Sequence, residues 1–332
     1  MQRIQTQAFA RAALVGNPSD GYFGKTISFT MRDFSARVVL YDWPTLEILP
    51  GEEDHVRFDS LGELAADVRS NGYYGALRLV KASLKKFHDY CVQHEVALPD
   101  RNFSIRYETN IPRGVGLAGS SAIIVATFRA LMQFYDVSIP NEVLPNWILA
   151  TEREELKIMG GLQDRVAQVY GGVVFMDFDQ AKLEVDGHGV YEPIDPQLLP
   201  PVYLAYQAEL GEVSDIVHND LRERWDRGDR IVHETMRELG ALAARARECI
   251  MQGRHAELSE LIDANFECRR RIVPIREDHG RMVEIARSCG ASAHFAGSGG
   301  TIVGTYADQS TFTRLQSELG AMGCRVLQPK IG

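Results

Sequence analysis

Five stretches of this 332-residue chain carry glycines, hydroxyls, acids and arginines at spacings that suit chemistry on a phosphate and a small polar molecule. The run Pro112-Arg-Gly-Val-Gly-Leu-Ala-Gly-Ser-Ser-Ala122 joins a glycine-rich loop to a helical pattern with no spacer. Gly114, Gly116 and Gly119 permit positive φ and close approach, so successive N–H groups can turn to one side and form an anion-binding concavity. Ser120, Ser121 and Ala122 then open a helix whose apolar residues Ile124, Val125, Phe128, Leu131 and Met132 recur at helical spacing. A helix N-terminus adds unpaired donors and partial positive charge, and the two hydroxyls can reach phosphate oxygens or a magnesium ion beside them. The same letters also build a plain turn with a Ser N-cap. No Gly-Lys-Ser/Thr follows, and the glycine spacing differs from a dinucleotide fingerprint, so neither of those loops is present.

The run Ala10 to Lys25 reads as a strand ending in the turn Gly16-Asn-Pro-Ser-Asp-Gly, where Asp20 can accept hydrogen bonds from two hydroxyls of a polyol. A turn of this composition needs no ligand to explain it. From Ala150 to Arg165 an acidic helix end, with Glu152, Glu154 and Glu155, is followed by Gly160-Gly161 and a lone Asp164. Phosphoryl transfer asks for one carboxylate to hold magnesium and another to meet the acceptor hydroxyl, although a run of glutamates is also a solvated helix face. Arg165, next to Asp164, can act on that carboxylate or on a substrate. Gly297, Ser298, Gly299 and Gly300 interrupt apolar, strand-like residues and allow backbone to approach backbone or ligand, or simply make a hairpin turn. Arg269, Arg270 and Arg271 are consecutive on a helical pattern, so one or two of them at most can face one site, where Arg suits a carboxylate.

The elements that must hold these groups follow from periodicity. Strands are expected over 8–15, 27–31, 36–41, 46–49, 56–58, 103–108, 173–178, 202–206, 293–296, 301–306 and 325–327. Helices are expected over 61–69, 76–94, 142–156, 215–225, 231–251, 256–271, 282–288 and 312–319. The texture changes after Pro200-Pro201, which suggests two domains, 1–200 and 201–332, in an α+β chain. Trp43, near a strand end, is a candidate stacking partner for an adenine ring, whose pocket the sequence leaves unassigned.

A hydrophobic content of 45% supports a sizeable core, and a net charge of −9 argues against a nucleic-acid partner held by bulk electrostatics. No apolar run reaches the length of a membrane span and no signal peptide leads the chain, so a cytoplasmic protein is expected. The five cysteines are scattered without paired spacing, and read as reduced residues, not disulfides or a zinc site.

The loop at 112–122, with the stretches 10–25 and 150–165 and the Gly297 run in the same order, resembles the motifs of the GHMP kinases. The matches span Arg11 to Val303, most of the chain. The resemblance implies a two-lobed fold with a ferredoxin-like C-terminal lobe, an active site between the lobes, and ATP with Mg2+ as cofactors. It implies that Pro112, Gly114, Gly116, Leu117, Ala118, Gly119, Ser120, Ser121 and Ala122 bind nucleotide, and that Ser121 and Glu152 hold the metal. Asp164 is then the catalytic base, with Arg11 or Lys25 offsetting charge on the phosphoryl group, Asp20 on sugar hydroxyls, and Gly297, Ser298 and Gly299 closing over the substrate. Asn17-Pro18 stands where galactokinases carry Glu-His, so galactose is not expected. Within the superfamily the runs 16–24, 71–75, 109–113, 161–172 and 269–271 are similar to those of the glucuronokinases, which phosphorylate the anomeric hydroxyl of D-glucuronate. That adds Asn17, Tyr73 and Tyr74 as pocket residues, and Lys25, Arg113, Arg165 and Arg269 to Arg271 as the cations from which a carboxylate reader is drawn. Arabinose, fucose or a heptose are the other acceptors the pattern allows; a sugar and ATP sensor without turnover is disfavoured by the intact set of catalytic parts.

Overall fold

The computed structural model describes residues 3–51, 54, 59–60, 62–63, 75–207 and 215–332. Tyr73 and Tyr74, the expected strand 56–58 and most of the expected helix 61–69 lie outside them.

Strand β1 (Arg3–Val15) alternates exposed and buried residues as far as Ala8, and is covered on both faces from Ala10 to Val15. It runs antiparallel to β2 (Lys25–Trp43), the spine of a six-stranded sheet. The other edge of β2 takes β4 (Asn102–Thr109) along residues 36–43 and β5 (Val173–Asp177) along residues 25–29. Short β3 (Glu47–Ile48) and β6 (Val190–Ile194) extend the sheet beyond β4 and β5. Periodicity suggested two strands where β2 is one. Its pairing with β1 jumps from Ser35 to Met31, so Arg32, Asp33 and Phe34 form a bulge that bends a continuous strand.

Two helices cover this sheet. α1 (Ala76–Gln93) packs on α2 (Gly119–Tyr135), which is buried at most positions from Ser121 to Phe134. A helix apolar almost all round belongs in an interior, and α2 lies against β1 and β2. After α3 (Leu144–Ala150), with Pro145 in the first turn where no amide donor is needed, the expected single helix to 156 widens into a π-helical turn, Thr151–Glu155. α4 (Gln163–Tyr170) and α5 (Gln180–Asp186) were not expected from periodicity; both are two turns or shorter, too brief to show a stripe.

The second sheet is antiparallel, in the order β10 (Arg325–Leu327), β7 (Val202–Tyr206), β9 (Thr301–Thr305), β8 (His294–Phe295). With it come α6 (Asp215–Asp226), α7 (Arg230–Met251), α8 (His255–Ile272), α9 (Glu277–Ser288) and α10 (Gln309–Ala321). A single apolar core runs from Leu14 and Phe29 of the first sheet to Ala243, Ile262 and Val303 of the second part, so the lobes are packed together. The five cysteines are free and buried. Among the described residues no helix is long and apolar enough to cross a membrane.

Phe128 of α2 is fully buried, its ring edge-on to Phe87 of α1 at 6.0 Å. Phe128→Ala should lose about 3–5 kcal/mol, the cost of a large core cavity, and the shift of the urea midpoint measures it.

Candidate active site

The loop before α2 has the geometry of an anion cradle. Gly114 and Gly116 have φ of 70° and 75°, and Ala118 is left-handed at 58°. The loop's carbonyls are turned into the protein: Val115 O accepts from Thr301 Oγ1 at 2.7 Å, Leu117 O from the Arg11 amide at 3.2 Å, and Ala118 O from Gln168 Nε2 at 2.9 Å. Their amides are left on the other side. Among the described residues, the N–H groups of Gly114 to Ser121 meet no protein acceptor, and α2 begins without a side-chain cap. Such a row of donors at a helix N-terminus suits polyphosphate oxygens.

The second glycine run lies directly against the first. A methyl group on Gly297 would overlap the Gly116 carbonyl, and one on Gly116 would press on Ser298 and Gly299 at 3.0 Å. Only glycine lets the two backbones come this close. Arg269 of α8 fastens the upper loop, its Nη1 donating to Gly297 O at 2.7 Å and its Nη2 to Ser298 O at 2.8 Å.

Charged groups alternate below the loop. Glu152, on the π-helical turn, is fully buried; Oε1 accepts from Ser120 Oγ at 3.1 Å and Ser121 Oγ at 3.2 Å, and Oε2 from Arg165 Nε at 2.6 Å and Arg165 Nη2. Arg165 also donates to Gly161 O at 2.7 Å and lies 3.4 Å from Asp164 Oδ2. Burial works against its charge, but Glu152 and Asp164 more than offset that and its pKa is raised. Asp164, in the first turn of α4, meets Arg11 Nη2 at 2.5 Å, and Arg11 Nη1 ends the series on Ala296 O. Asp164 keeps 18% side-chain exposure beside partners that are almost wholly buried.

Asp20 sits in a 3-10 turn, Ser19–Tyr22, and accepts from the Gln163 amide at 3.2 Å and Gln163 Nε2 at 3.0 Å. Burial, and then the charge of Asp164, push its carboxyl up to about 6 against the opposing pull of Gln163 and Arg11. Asn17 is gripped by Gln163 Nε2 at 2.8 Å, and itself donates to Gly297 O at 3.2 Å. Asn265 of α8 accepts from the Gly16 amide at 2.6 Å and donates to Asn17 O at 3.3 Å, which pins the turn. His294 is fully buried, and burial followed by the Arg269 charge pushes its imidazole down to about 3, so it is neutral.

The site therefore gathers Arg11, Asn17, Asp20, the 112–122 loop, Glu152, Asp164, Arg165 and Gly297 to Gly299. Lys25 goes elsewhere, since its ammonium pairs with Asp177 on β5. Arg270 pairs with Glu267 at 2.8 Å and Arg271 with Glu238, while Arg113 is exposed on the loop. Arg165 and Arg269 are spoken for by Glu152 and by carbonyls. Gln163, Gln168, Asn265 and Thr301 were not read from the sequence. They are neutral hydrogen-bonding residues, and no spacing rule marks such a residue as the second support of a carboxylate or a loop.

Two lobes, a cradle of unpaired amides and a carboxylate held between arginines describe a small-molecule kinase. Residues 77–172 match the sequence profile of the GHMP kinases N terminal domain. The fold is shared with Lactococcus lactis galactokinase complexed with galactose (TM-score 0.76, 13% identity, 100% of this chain and 94% of that one). It is shared equally with Streptococcus pneumoniae phosphomevalonate kinase in complex with phosphomevalonate and AMPPNP (TM-score 0.76, 14% identity, 99% of this chain and 100% of that one). Glucuronokinase 1 of Arabidopsis thaliana is 45% identical over 306 residues, 90% of this chain and 84% of that protein. The chain belongs to the GHMP kinases and, within them, to the glucuronokinase family.

Because Gly297 and Gly116 touch through their backbones, Gly297→Ala should part the two loops. Misplacement of about 1 Å costs about 10²-fold in kcat/KM for this kind of chemistry, and steady-state kinetics with saturating acceptor read it as a raised nucleotide KM.

Proposed function

We infer that the protein transfers the γ-phosphoryl group of ATP to the anomeric hydroxyl of D-glucuronate, giving D-glucuronate 1-phosphate and ADP. The observation that carries this reading is the Asp164 carboxylate, held by Arg11 and Arg165, in a chain that also carries a row of unpaired amides and is 45% identical to a glucuronokinase. The amides of Gly114 to Ser121 hold the phosphates of the nucleotide. Ser121 Oγ and Glu152 Oε1 are an adjacent hydroxyl and carboxylate, a fit for Mg2+, which keeps waters and phosphate oxygens for its other positions. The metal, when bound, neutralises charge on the phosphates.

Asp164 takes the proton of the 1-hydroxyl as the sugar oxygen bonds to the γ-phosphorus and the bond to the bridging oxygen of ADP breaks. Arg11, almost fully buried and fixed at both ends, orients that carboxylate and faces the charge that moves with the phosphoryl group. Lys25, bound to Asp177, has no part in this step. Asp20 has two of its acceptor positions filled by Gln163 and turns the remainder to ring hydroxyls. Asn17, locked by Gln163, Gly297 and Asn265, forms the floor of the sugar pocket.

The test is ADP release with ATP and Mg2+ across D-glucuronate, galacturonate, glucose, galactose, arabinose and fucose. Strong preference for D-glucuronate over glucose is expected; preference for a neutral sugar would overturn the uronate assignment and leave the kinase chemistry standing. Asp164→Asn should lower kcat by about 10²–10⁴ with little change in nucleotide affinity, as loss of a general base does.

The raised pKa of Asp20 gives a pH signature. Above about 6 it is ionised and accepts from two hydroxyls; below, the proton removes part of that capacity. The acid limb of kcat/KM for the sugar should therefore fall through a pKa near 6. Asp20→Asn should abolish that limb and raise the sugar KM by about tenfold or more, the worth of a hydrogen bond to a charged group.

A further inference from the structure

A uronate needs a cation for its carboxylate; of those first considered, Lys25, Arg165, Arg270, Arg271 and Arg269 are engaged with Asp177, Glu152, Glu267, Glu238 and loop carbonyls, and Arg113 stands exposed on the 112–122 loop. In a pyranuronate the carbon bearing the carboxylate and the anomeric carbon flank the same ring oxygen. The reader must therefore lie in the neighbourhood of Asp20 and Asp164, which are within electrostatic range of each other.

Two arginines outside that pool meet the condition. Arg153 follows Glu152 on the π-helical turn; while Glu152 is buried, Arg153 is exposed, and its guanidinium donates to Gly160 O. Gly160 precedes Gly161, which lies so close to Asp20 that a methyl group there would overlap the carboxylate. Arg222 reaches from α6 and donates through Nη1 to Gly21 O at 3.2 Å, one residue from Asp20 on the other turn. Its guanidinium lies 5.9 Å from the Tyr22 ring, which in turn packs on Trp225 at 5.0 Å. Each arginine is thus tied by one N–H to a backbone carbonyl beside Asp20, with further donors of the planar fork still to place.

The charges are arranged to welcome an anion. Arg153 and Arg222 bring guanidinium groups to the two turns beside Asp20, through Gly160 O and Gly21 O. Arg222 has Asp226 at 3.4 Å, an exposed partner in its own helix; Arg153 forms no ion pair among the described residues. Two guanidinium groups with donors left over, each tied beside the Asp20 turn, suit a bound carboxylate and gain nothing from a neutral hydroxymethyl group.

We propose that Arg153 and Arg222 form the carboxylate-reading subsite of the sugar pocket and set the preference for a uronate over a neutral hexose. The proposal rests on the reading of the acceptor given above. The tests are Arg153→Gln, Arg222→Gln and the double variant, assayed with D-glucuronate and with its neutral analogue D-glucuronamide at saturating MgATP. The wild type should favour the acid, and each single substitution should reduce the acid-to-amide ratio of kcat/KM by about tenfold or more, chiefly through the KM of the acid. Arg222→Lys, which keeps the charge without the fork, should retain more of the ratio than Arg222→Gln; equal loss in both would assign Arg222 to holding the turn and overturn its part. A double variant with the wild-type ratio overturns the subsite while leaving the enzyme a glucuronate kinase. A wild type that releases no ADP with D-glucuronate overturns the acceptor assignment itself, before any variant is made.

Discussion

The site depends on a chain of alternating charges through the interior: Glu152, Arg165, Asp164 and Arg11, ending on the carbonyl of Ala296. The four members come from three elements, the π-helical turn, two successive residues of α4, and β1, while the last acceptor precedes the upper glycine loop. Charges this deeply buried are costly to desolvate, and each is stable only because its neighbour is present. Removing one leaves the others uncompensated, at a cost of about 3–5 kcal/mol for a broken buried pair. The geometry of the Asp164 carboxylate is thereby a property of the whole interior.

A second constraint is the contact of bare backbone with bare backbone. The loops at 114–119 and 297–300 approach so closely that side chains are excluded at Gly116 and Gly297. Thr301, Arg11 and Gln168 draw the lower loop's carbonyls inward, and Arg269 does the same to the upper one. The outward amides follow from the inward carbonyls, because each peptide unit points its two polar groups in opposite directions.

The glycine loop was legible in the sequence because its chemistry is local, whereas Asp20, Glu152 and Asp164 were singled out by the resemblance to the GHMP kinases, their local sequence fitting a plain turn and a solvated helix face equally well. A nest needs glycines next to each other. Most strands and long helices were legible for the same reason, since α1, α7 and α8 carry enough turns to show a stripe. What escaped was set by long-range contact. Phe34 is apolar and buried, yet lies in the β2 bulge, which depends on β1 some twenty residues earlier. Lys25 looked free beside the active turn, but the β2–β5 register brings Asp177 opposite it. Arg153 went unmarked among the glutamates, since nothing in a run of charges says that a π turn will aim one residue inward and its neighbour toward Gly160.

With the lower loop proposed to hold the nucleotide, its pinning also bears on the kinetics of capture. Its carbonyls are anchored at three points and Gly116 is roofed by the upper loop, so it is denied the collapse by which a free loop would satisfy its own amides. The conformational entropy of that segment is lost when the chain folds, not when a polyphosphate arrives. Capture then needs no ordering step in this loop, and differences in affinity among nucleotides are carried by how fast each one leaves.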